Sequence, residues 1–515
     1  MQQAPPSILA AFVASATTTP ERACLIWEGQ TTSYGELLSL AGDWAAAFTD
    51  MGVQRGDRVG LFLPSGPAFL GAYLGAQLCG AAVVLINTQY RQAELSHILA
   101  DSAPRVVVTD EPGAALVAQA AESSQGAPAT VRLPTGALLP TTVHAGAGRS
   151  LLAHLPDGLP RAGDLAILAY TSGTTGRAKG AMLTHGCLAA NSAAVTTAWR
   201  WTASDRLLLT LPLFHIHGLG VGVHGTLLSG ASLALWPRFE PDEVLQALAS
   251  GACTLFFGVP TMYTRLIAAA QTAPQLARKA GQAVRLFVSG SAPLAPQTFA
   301  AFEELFGQRI LERYGMTETG MNLTNPYDGE RRPGTVGMPF PGQEARVVDL
   351  QSRAPLPDGT IGEIQVRGPH VCAGYWRNPT ATAEVFHPDG WFSTGDLGWR
   401  SADGYYTITG RARELIISGG YNIYPREVEE TLLAHPAVAE CAVFGLPDPE
   451  FGERVAAAIV PRDPAAPPTA DELEAFCRER LAAYKRPRVV YHVAGLPRNA
   501  LGKVQKHELR AQLEH

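Results

Sequence analysis

The feature that most constrains the fold is a stretch between Arg58 and Arg91 that contains no Lys, Arg, Asp or Glu. It is longer than the roughly 20 residues of a membrane-spanning helix, but proline and glycine residues interrupt it. These breaks divide it into a predicted strand at 58–63, a helix at about 67–79 and a second strand at 82–86. The stretch therefore predicts a buried unit of strand, helix and strand rather than a membrane span.

Short apolar runs alternate with helical patterns along much of the remaining chain. The runs lie at 106–109, 165–170, 207–211, 254–258, 286–289 and 310–313. This alternation is typical of parallel sheets covered by helices. After about residue 346 short strands and turns predominate, and from about residue 413 strands and helices alternate again. We therefore expect two domains, 1–411 and 412–515.

Charge and cysteine usage exclude several classes of protein. Lys and Arg number 40 and Asp and Glu number 46, a formal net charge of −6, so we expect no nucleic-acid partner. The seven cysteines are scattered without a metal-ligand spacing, which is typical of a reducing compartment. No Lys or Arg precedes Arg22, which disfavours a secretory signal. We expect a cytoplasmic protein without a membrane span, either a monomer or a homodimer.

A dense cluster of hydroxyls and glycines follows the predicted strand at 165–170. Residues 170–180 read Tyr-Thr-Ser-Gly-Thr-Thr-Gly-Arg-Ala-Lys-Gly. Glycines let backbone N–H groups approach an anion, hydroxyls donate further hydrogen bonds, and Lys179 adds positive charge. The segment is not a Walker loop, because neither Gly173 nor Gly176 has the required spacing to a Gly-Lys pair. It predicts a phosphate-binding loop, with a surface turn as the alternative.

This loop is the first of six motifs that follow one another along the chain. The others are Ser-Gly-Ser-Ala-Pro at 289–293, Tyr-Gly-Met-Thr-Glu-Thr at 314–319, Ser-Thr-Gly-Asp at 393–396, Gly-Arg-Ala-Arg-Glu at 410–414 and Pro-Arg-Asn-Ala-Leu-Gly-Lys at 497–503. With these motifs the chain resembles, over nearly its whole length, the adenylate-forming enzymes, which include acyl-CoA synthetases, peptide-synthetase adenylation domains and luciferases. The resemblance implies ATP-dependent activation of a carboxylate, with ATP, Mg²⁺ and CoA required.

The resemblance also implies an α/β fold, with a large N-terminal domain of helix-flanked sheets and a small, mobile α+β C-terminal lid. Glu318 would hold the Mg²⁺ that bridges the ATP phosphates, and Thr317 would bind the α-phosphate. Asp396 would accept hydrogen bonds from the ribose hydroxyls, and Arg411 would donate to nucleotide oxygens. The other nucleotide-binding residues implied are Thr171, Ser172, Gly173, Thr174, Thr175, Gly176, Lys179, Gly290, Ser291, Ala292, Glu312, Arg313, Tyr314, Gly315 and Met316.

By the same resemblance, Lys503 reaches the substrate carboxylate and the nucleotide during adenylation and supplies positive charge there. Arg413 stands at the family's hinge, where aspartate or lysine is usual. Rotation at this hinge would bring the loop that contains Gly419, Gly420 and Tyr421 over the active site for thioester formation.

Two segments, 316–331 and 259–265, resemble the malonyl-CoA synthetases of this family. A buried malonate needs a fixed cation for its second carboxylate, because an unpaired buried charge is costly. Arg265 is the main candidate and Arg285 the second. The other residues expected at the acyl group are His217, Met321 and Asn322.

Two histidines at alternate positions, His215 and His217, would face the same side of a strand. No acidic or cysteine ligand accompanies them, so zinc is not expected. The resemblance places His215 beside the acyl and pantetheine path as a catalytic-site residue, and His217 could donate to malonate. A structural role is the alternative for each.

Other functions stay open at this stage. Methylmalonate or another short acid could replace malonate, since one methyl group changes affinity by only about 1–3 kcal/mol. A peptide-synthetase adenylation module is disfavoured because no carrier domain follows the Lys503 motif. A noncatalytic nucleotide sensor would be expected to lack Glu318 or Lys503, and both are present.

Overall fold

The computed structural model describes residues 7–122, 128–140, 158–171, 178–419, 421–499 and 502–513. The chain divides into two compact units. The first comprises Met1–Glu344 and Arg367–Phe392, and the second comprises Ala345–Val366 and Ser393–His515. The predicted domain boundary after residue 411 stays a prediction.

Helices of the first unit begin mainly at proline or at a capping side chain. They are α1 (Ile8–Thr18), α2 (Tyr34–Asp50), α3 (Pro67–Leu78), α4 (Gln92–Ser102), α5 (Glu111–Ala121), α6 (His185–Ala198), α7 (His224–Ser229), α8 (Pro241–Ala249), α9 (Pro260–Thr272), α10 (Pro274–Ala283), α11 (Pro296–Phe306) and α12 (Pro379–Val385). Proline suits the first helical position because the N–H it lacks has no partner inside the helix. At α2, Ser33 and Glu36 form a capping box, with each side chain bonded to the other residue's backbone N–H.

Two sheets organise this unit. Their strands are β1 (Ala23–Trp27), β2 (Gln30–Ser33), β3 (Arg58–Phe62), β4 (Ala82–Leu85), β5 (Val106–Asp110), β6 (Ala129–Leu133), β7 (Leu165–Thr171), β8 (Lys179–Thr184), β9 (Arg206–Leu209), β10 (Ser232–Leu235), β11 (Leu255–Gly258), β12 (Leu286–Ser289), β13 (Leu311–Met316), β14 (Gly320–Thr324) and β15 (Met338–Pro339). One sheet has the order β6-β5-β3-β4-β7-β8, and the other has the order β15-β14-β13-β12-β11-β9-β10-β1-β2. Helix-flanked sheets confirm the predicted α/β class, and β3, α3 and β4 confirm the strand, helix and strand predicted from the uncharged stretch.

The parallel register of the larger sheet decides where its loops meet. Strands β9, β11, β12 and β13 run parallel, so their carboxyl ends lie along one edge. The segments that follow these ends begin at residues 210, 259, 290 and 317. In parallel α/β sheets this edge is where ligands bind. The fold therefore brings together the segments that begin at residues 259, 290 and 317, which are far apart in the chain and were singled out in the sequence analysis.

The second unit has two smaller sheets. Its strands are β16 (Glu344–Val348), β17 (Gly362–Arg367), β18 (Phe392–Arg400), β19 (Tyr406–Arg411), β20 (Ile416–Ser418), β21 (Tyr421–Ile423), β22 (Val438–Asp448), β23 (Gly452–Pro461) and β24 (Val489–His492), and its helices are α13 (Pro425–Leu433), α14 (Ala470–Arg478) and α15 (Lys506–Leu513). Strands β16 to β19 form one sheet in chain order, whereas β21-β20-β23-β22 form the other and β24 pairs with β23. In the parts of the chain described, no helix combines the length and the apolar character needed to cross a membrane.

Candidate functional site

The predicted phosphate loop is flanked by the antiparallel strands β7 and β8, which end at Thr171 and begin at Lys179. The predicted loop residues Ser172, Gly173, Thr174, Thr175 and Gly176 lie outside the described residues. Thr171 Oγ1 donates to Glu318 Oε1 at 3.4 Å, and Lys179 Nζ lies 5.4 Å from the ring centre of Tyr375. The ends of this strand pair therefore contact the predicted magnesium ligand and a tyrosine beside it.

Glu318 lies in the turn between β13 and β14 and is 6% exposed. Its Oε1 accepts hydrogen bonds from the hydroxyls of Tyr375, at 3.0 Å, and Thr171. Oε2 has no hydrogen-bond donor in the described part of the chain. Mg²⁺ is commonly bound by one or two carboxylates together with substrate phosphates, and no group of three or more candidate metal ligands occurs among the described residues. A single carboxylate with one uncommitted oxygen fits a metal that is shared with ATP.

Asn191 on α6 holds the strand that leaves this turn. Its Nδ2 donates to the Met321 carbonyl at 2.8 Å, and the Met321 N–H donates to its Oδ1 at 3.1 Å. A side-chain amide that satisfies both backbone groups of one residue fixes the register of that residue. Sequence reasoning missed Asn191 and Tyr375, because neither lies in a spacing that indicates chemistry.

Arg313 is a cation buried without a counter-charge. It lies in β13, is 3% exposed, and its Nε and Nη2 have no hydrogen-bond partner among the residues described. Burial lowers the pKa of Arg313 to about 9, so the guanidinium is still charged at neutral pH. A Cβ at Gly290 would overlap the guanidinium, so glycine at that position leaves the space it occupies. A buried cation without a counter-charge is suited to bind an anion. The nucleotide role that the resemblance implies for Arg313 stays a prediction.

His215 and His217 lie beside this arginine. Burial and the charge of Arg313 lower the pKa of His215 to about 4 and that of His217 well below its usual value, so both rings are neutral at pH 7. His217 Nδ1 is 3.0 Å from Ser291 Oγ, and its buried Nε2 has no partner within the described chain. The prediction of a strand at His215 and His217 is wrong. Ile216 has helical dihedrals and a π-helical stretch begins at His217, which the following glycines permit.

Arg265, the main sequence candidate for the second carboxylate, does not lie in a buried pocket. It is on α9 with a side chain 56% exposed, packs over the ring of Phe239 at 5.2 Å and has Glu240 at 4.0 Å. The helix turns this position toward solvent. The side chain is therefore not buried, and the assignment of Arg265 to the acid stays a prediction.

Arg285 is committed to other groups. Its Nε and Nη2 each donate to the Asp205 carboxylate at 2.7 Å, and Nη1 and Nη2 donate to the carbonyls of Trp199 and Arg200 at 3.0 and 3.1 Å. Every nitrogen of the guanidinium is thus occupied by the protein. This commitment favours a structural role for Arg285, and its assignment to the substrate stays a prediction.

The remaining acyl-site candidates line the same part of the first unit. Asn322 is buried, with Oδ1 3.1 Å from His370 Nε2 and with Nδ2 lacking a partner in the described structure. Met321 is also buried, and its backbone is held by Asn191. Thr317 and His370 line a small cavity together with Asn191 and Ile216. The predicted contact of Thr317 with the α-phosphate stays a prediction.

Several of the predicted nucleotide-binding residues lie on β13 or on the segment that follows β12. Glu312 Oε1 accepts the Leu294 N–H at 3.1 Å, which ties the segment after β12 to β13. Ser291 adopts a left-handed backbone conformation, with φ of 71°. Gly290, Ala292, Tyr314, Gly315 and Met316 lie on these same two segments. Their contacts to a nucleotide stay predictions.

The second unit contains its own charged cluster around Asp396. Arg411 Nε is 2.9 Å from Asp396 Oδ1, across the antiparallel pair β18 and β19. Lys503 lies near this pair. Burial and the charges of Arg411 and Arg413 lower the pKa of Lys503 to about 8, while Asp396 and Glu414 act in the opposite direction. Burial also lowers the pKa of Arg413, the predicted hinge residue. The structure thus brings together Asp396, Arg411, Arg413 and Lys503, four residues named from separate motifs.

The predicted thioester loop lies in the hairpin of β20 and β21. Tyr421 is 56% exposed and stacks on Tyr484 with ring centres 4.4 Å apart. Gly419 has a left-handed φ of 58°, and Gly420 lies outside the described residues. The role of this loop in the second half-reaction stays a prediction.

Comparison with known proteins identifies the family. Residues 12–376 match the model of the AMP-binding enzymes, and residues 427–503 match the model of their C-terminal domain. The chain is 40% identical to a sulfoacetate–CoA ligase of Cupriavidus necator over 97% of each sequence, and 33% identical to a malonate–CoA ligase of Arabidopsis thaliana over 99% of this chain and 89% of the relative.

A solved structure extends this likeness to the fold. The crystal structure of ATP-bound MatB from Rhodopseudomonas palustris has a TM-score of 0.88 and 38% identity, with 98% of each chain covered. Family models, relatives and solved structure agree with the motifs, and they confirm the resemblance inferred from sequence. The chain therefore belongs to the AMP-binding enzymes, as an adenylate-forming acyl-CoA ligase that joins an acid to a thiol with ATP, CoA and Mg²⁺.

Proposed function

We propose that this ligase activates short acids that carry a second anionic group, and that malonate is its substrate. The observation that carries the proposal is Arg313, a charged guanidinium buried without a carboxylate. Removing one partner of a buried ion pair usually leaves a costly unpaired charge. Arg313 is in that condition within the described chain, and an anionic substrate would supply the missing partner.

The surroundings of Arg313 suit a carboxylate that does not react. An ionised carboxylate accepts from both nitrogens of a guanidinium edge, and Nε and Nη2 form such an edge. His217 adds a neutral donor when the Ser291 hydroxyl donates to Nδ1, because the ring proton is then on Nε2. A neutral imidazole next to an arginine provides a hydrogen bond without adding a repelling charge. We therefore assign Arg313 and His217, rather than Arg265, to the distal carboxylate.

The named relatives favour the same class of acid. Malonate and sulfoacetate each have one carboxylate to activate and a second anionic group one carbon away. Both occur in the names of similar ligases. Sulfoacetate is therefore the second candidate, and methylmalonate, which adds one methyl group to malonate, is the third.

The reaction would proceed in two balanced steps. A malonate carboxylate oxygen attacks the α-phosphorus of ATP, and pyrophosphate leaves. The CoA sulfur then attacks the acyl carbon, AMP leaves and the thiol proton is released. Mg²⁺ supplies charge neutralisation for the phosphates, and Glu318 is the residue that fits it. Lys503, with a pKa of about 8, is mostly protonated at neutral pH and can stabilise negative charge during the first step.

A substrate panel tests the proposal. AMP release is measured with MgATP and CoA in the presence of malonate, methylmalonate, sulfoacetate, succinate, propionate or butyrate, with each component omitted in turn. We expect the highest kcat/KM for malonate and the lowest values for the monocarboxylates. A higher kcat/KM for sulfoacetate than for malonate would make sulfoacetate the substrate and would still support the role of Arg313 in binding the second anionic group. Propionate turnover equal to that of malonate would refute that role.

A further inference from the structure

A short segment of the first unit, residues 372–376, connects the phosphate-loop strand to Glu318. The Cys372 N–H donates to the Glu318 carbonyl at 2.8 Å. On its other side the segment pairs with β8 through backbone hydrogen bonds of 2.8 to 2.9 Å. These bonds run from Ala373 to Met182, from Met182 to Gly374 and from Trp376 to Gly180. We call residues 372–376 the bridging segment.

The conformation of this segment depends on one glycine. Gly374 has φ of 125°, which side-chain-bearing residues rarely adopt, and a Cβ there would approach Thr382 Cγ2 at 2.8 Å. Thr382 Oγ1 in turn accepts the Tyr375 N–H at 2.9 Å. The backbone of Tyr375 is therefore held from two sides, by Thr382 and by the bridge to Ala181. Its side chain is placed by backbone constraints rather than by a flexible loop.

The Tyr375 side chain contacts both charged groups of the phosphate site. Its hydroxyl donates to Glu318 Oε1 at 3.0 Å, and the Lys179 ammonium lies 5.4 Å from its ring centre, within the range of a cation–π contact. Tyr375 is 8% exposed. Lys179 and Glu318 form no ion pair with each other in the described structure, although each contacts this one side chain. Tyr375 thus contacts both a cation and an anion of the site.

We infer that Tyr375 is a positioning residue for MgATP, one that orients Glu318 through its hydroxyl and separates Glu318 from Lys179 through its ring. A direct ion pair would neutralise both groups, leaving the carboxylate less able to bind a metal and the ammonium less able to bind phosphate. With the hydroxyl directed at Oε1, Oε2 remains for the cation. The inference rests on the proposed role of Glu318, and it is independent of which acid is activated.

The test separates the hydroxyl from the ring. Tyr375→Phe keeps the ring and loses the hydrogen bond, whereas Tyr375→Leu loses both. The half-reaction with malonate is followed by exchange of labelled pyrophosphate into ATP while free Mg²⁺ is varied. For Tyr375→Phe we expect the Mg²⁺ concentration at half-maximal rate to rise about 10- to 100-fold, as for loss of a residue that orients a metal ligand. The KM for malonate should not change. For Tyr375→Leu we expect the KM for ATP to rise as well.

A second readout does not depend on turnover. The melting temperature is measured with ATP and chelator, and again with MgATP, without acid. For Tyr375→Phe we expect a smaller additional stabilisation by Mg²⁺ than in the parent protein, with an unchanged effect of ATP alone. The matched control is Tyr34→Phe, which removes another buried hydroxyl, bonded to the carbonyls of Thr226 and Ala231. This control should lower stability and leave the Mg²⁺ dependence unchanged.

Glu318→Gln distinguishes two kinds of failure. If Glu318→Gln changes the Mg²⁺ dependence and Tyr375→Phe does not, Tyr375 has only a structural role and the inference is overturned. If neither variant changes it, the assignment of Glu318 to the metal is also wrong. If Tyr375→Phe lowers the rate equally at every Mg²⁺ concentration, the positioning role is likewise refuted.

Discussion

Gly290 leaves the space that the guanidinium of Arg313 fills, and a Cβ at position 290 would overlap Arg313 Cζ. The contact follows from parallel pairing of β12 with β13, in which Ser289 lies opposite Glu312, so that the next residues along each strand are also neighbours. The position of the Arg313 guanidinium therefore depends on the absence of a side chain at residue 290.

Gly290→Ala should shift the guanidinium of Arg313 and reduce selectivity for the second anion. Overpacking at a buried site costs about 1–3 kcal/mol, which corresponds to a fall of roughly 5- to 150-fold in the ratio of kcat/KM for malonate to that for propionate. In an Arg313→Met background the same change should leave the ratio unaltered. Equal losses for both acids in the parent background would show that Gly290 serves the nucleotide instead.

Arg313→Met should reduce malonate activation and leave monocarboxylates unchanged or improved. Loss of a buried charge-assisted pair costs about 2–5 kcal/mol, so kcat/KM for malonate should fall roughly 30-fold to several thousand-fold. The melting temperature should stay the same or rise, because an unpaired buried charge is replaced by an apolar side chain. Thermal unfolding and AMP release check the two effects.

The matched control for that variant is Arg265→Met, which removes a half-exposed arginine from α9. We expect it to leave kcat/KM for every acid within a factor of about two, since exposed pairs contribute at most about 1 kcal/mol. A selective loss of malonate activity in Arg265→Met, with none in Arg313→Met, would restore the sequence-based assignment.

Arg285→Leu should destabilise the protein without changing selectivity. The substitution leaves the Asp205 carboxylate, which is 4% exposed, without its bidentate partner. Breaking a buried pair in this way costs about 3–5 kcal/mol in the free energy of unfolding. Denaturant unfolding checks the stability, and the ratio of malonate to propionate turnover should match that of the parent protein. A changed ratio at unchanged stability would contradict the structural role.

Lys503→Ala should abolish adenylation and largely preserve thioester formation from supplied malonyl-adenylate. The expectation follows from its place near Asp396 and Arg411, the predicted ribose and nucleotide ligands. Pyrophosphate exchange measures the first half-reaction, and CoA-dependent AMP release from the adenylate measures the second. Comparable losses in both would refute a role confined to one step.

The rate of adenylation should fall as pH rises through about 8. Burial, with Arg411 and Arg413 nearby, lowers the pKa of Lys503 to about that value, and a lysine is charged only below its pKa. The stabilising charge is therefore present at neutral pH and lost in alkaline solution. Pyrophosphate exchange measured on both sides of pH 8 checks this, and Lys503→Arg should remove the alkaline decline because arginine remains charged. A parent profile that is flat across this range would contradict the assignment.

Local sequence patterns predicted the elements well where burial makes the pattern strong. The uncharged stretch after Arg58 became β3, α3 and β4 because a central strand and its covering helix are apolar on nearly all sides. The pattern failed at His215 and His217, since alternation over three residues cannot separate a strand from a helical segment rich in glycine. The helix was therefore identified only from its dihedral angles.

The sequence by itself determined the family, the α/β class and the residues expected to handle ATP, because those groups occur in ordered motifs whose spacing reflects local turn chemistry. Only the tertiary structure decided which arginine lacks a partner. Arg265, Arg285 and Arg313 are equivalent as letters in the sequence, but one faces solvent, one is bound by Asp205 and one is buried without a carboxylate. The energy of a charge depends on burial and on neighbours from distant parts of the chain, and these are set by the packing of strands and helices.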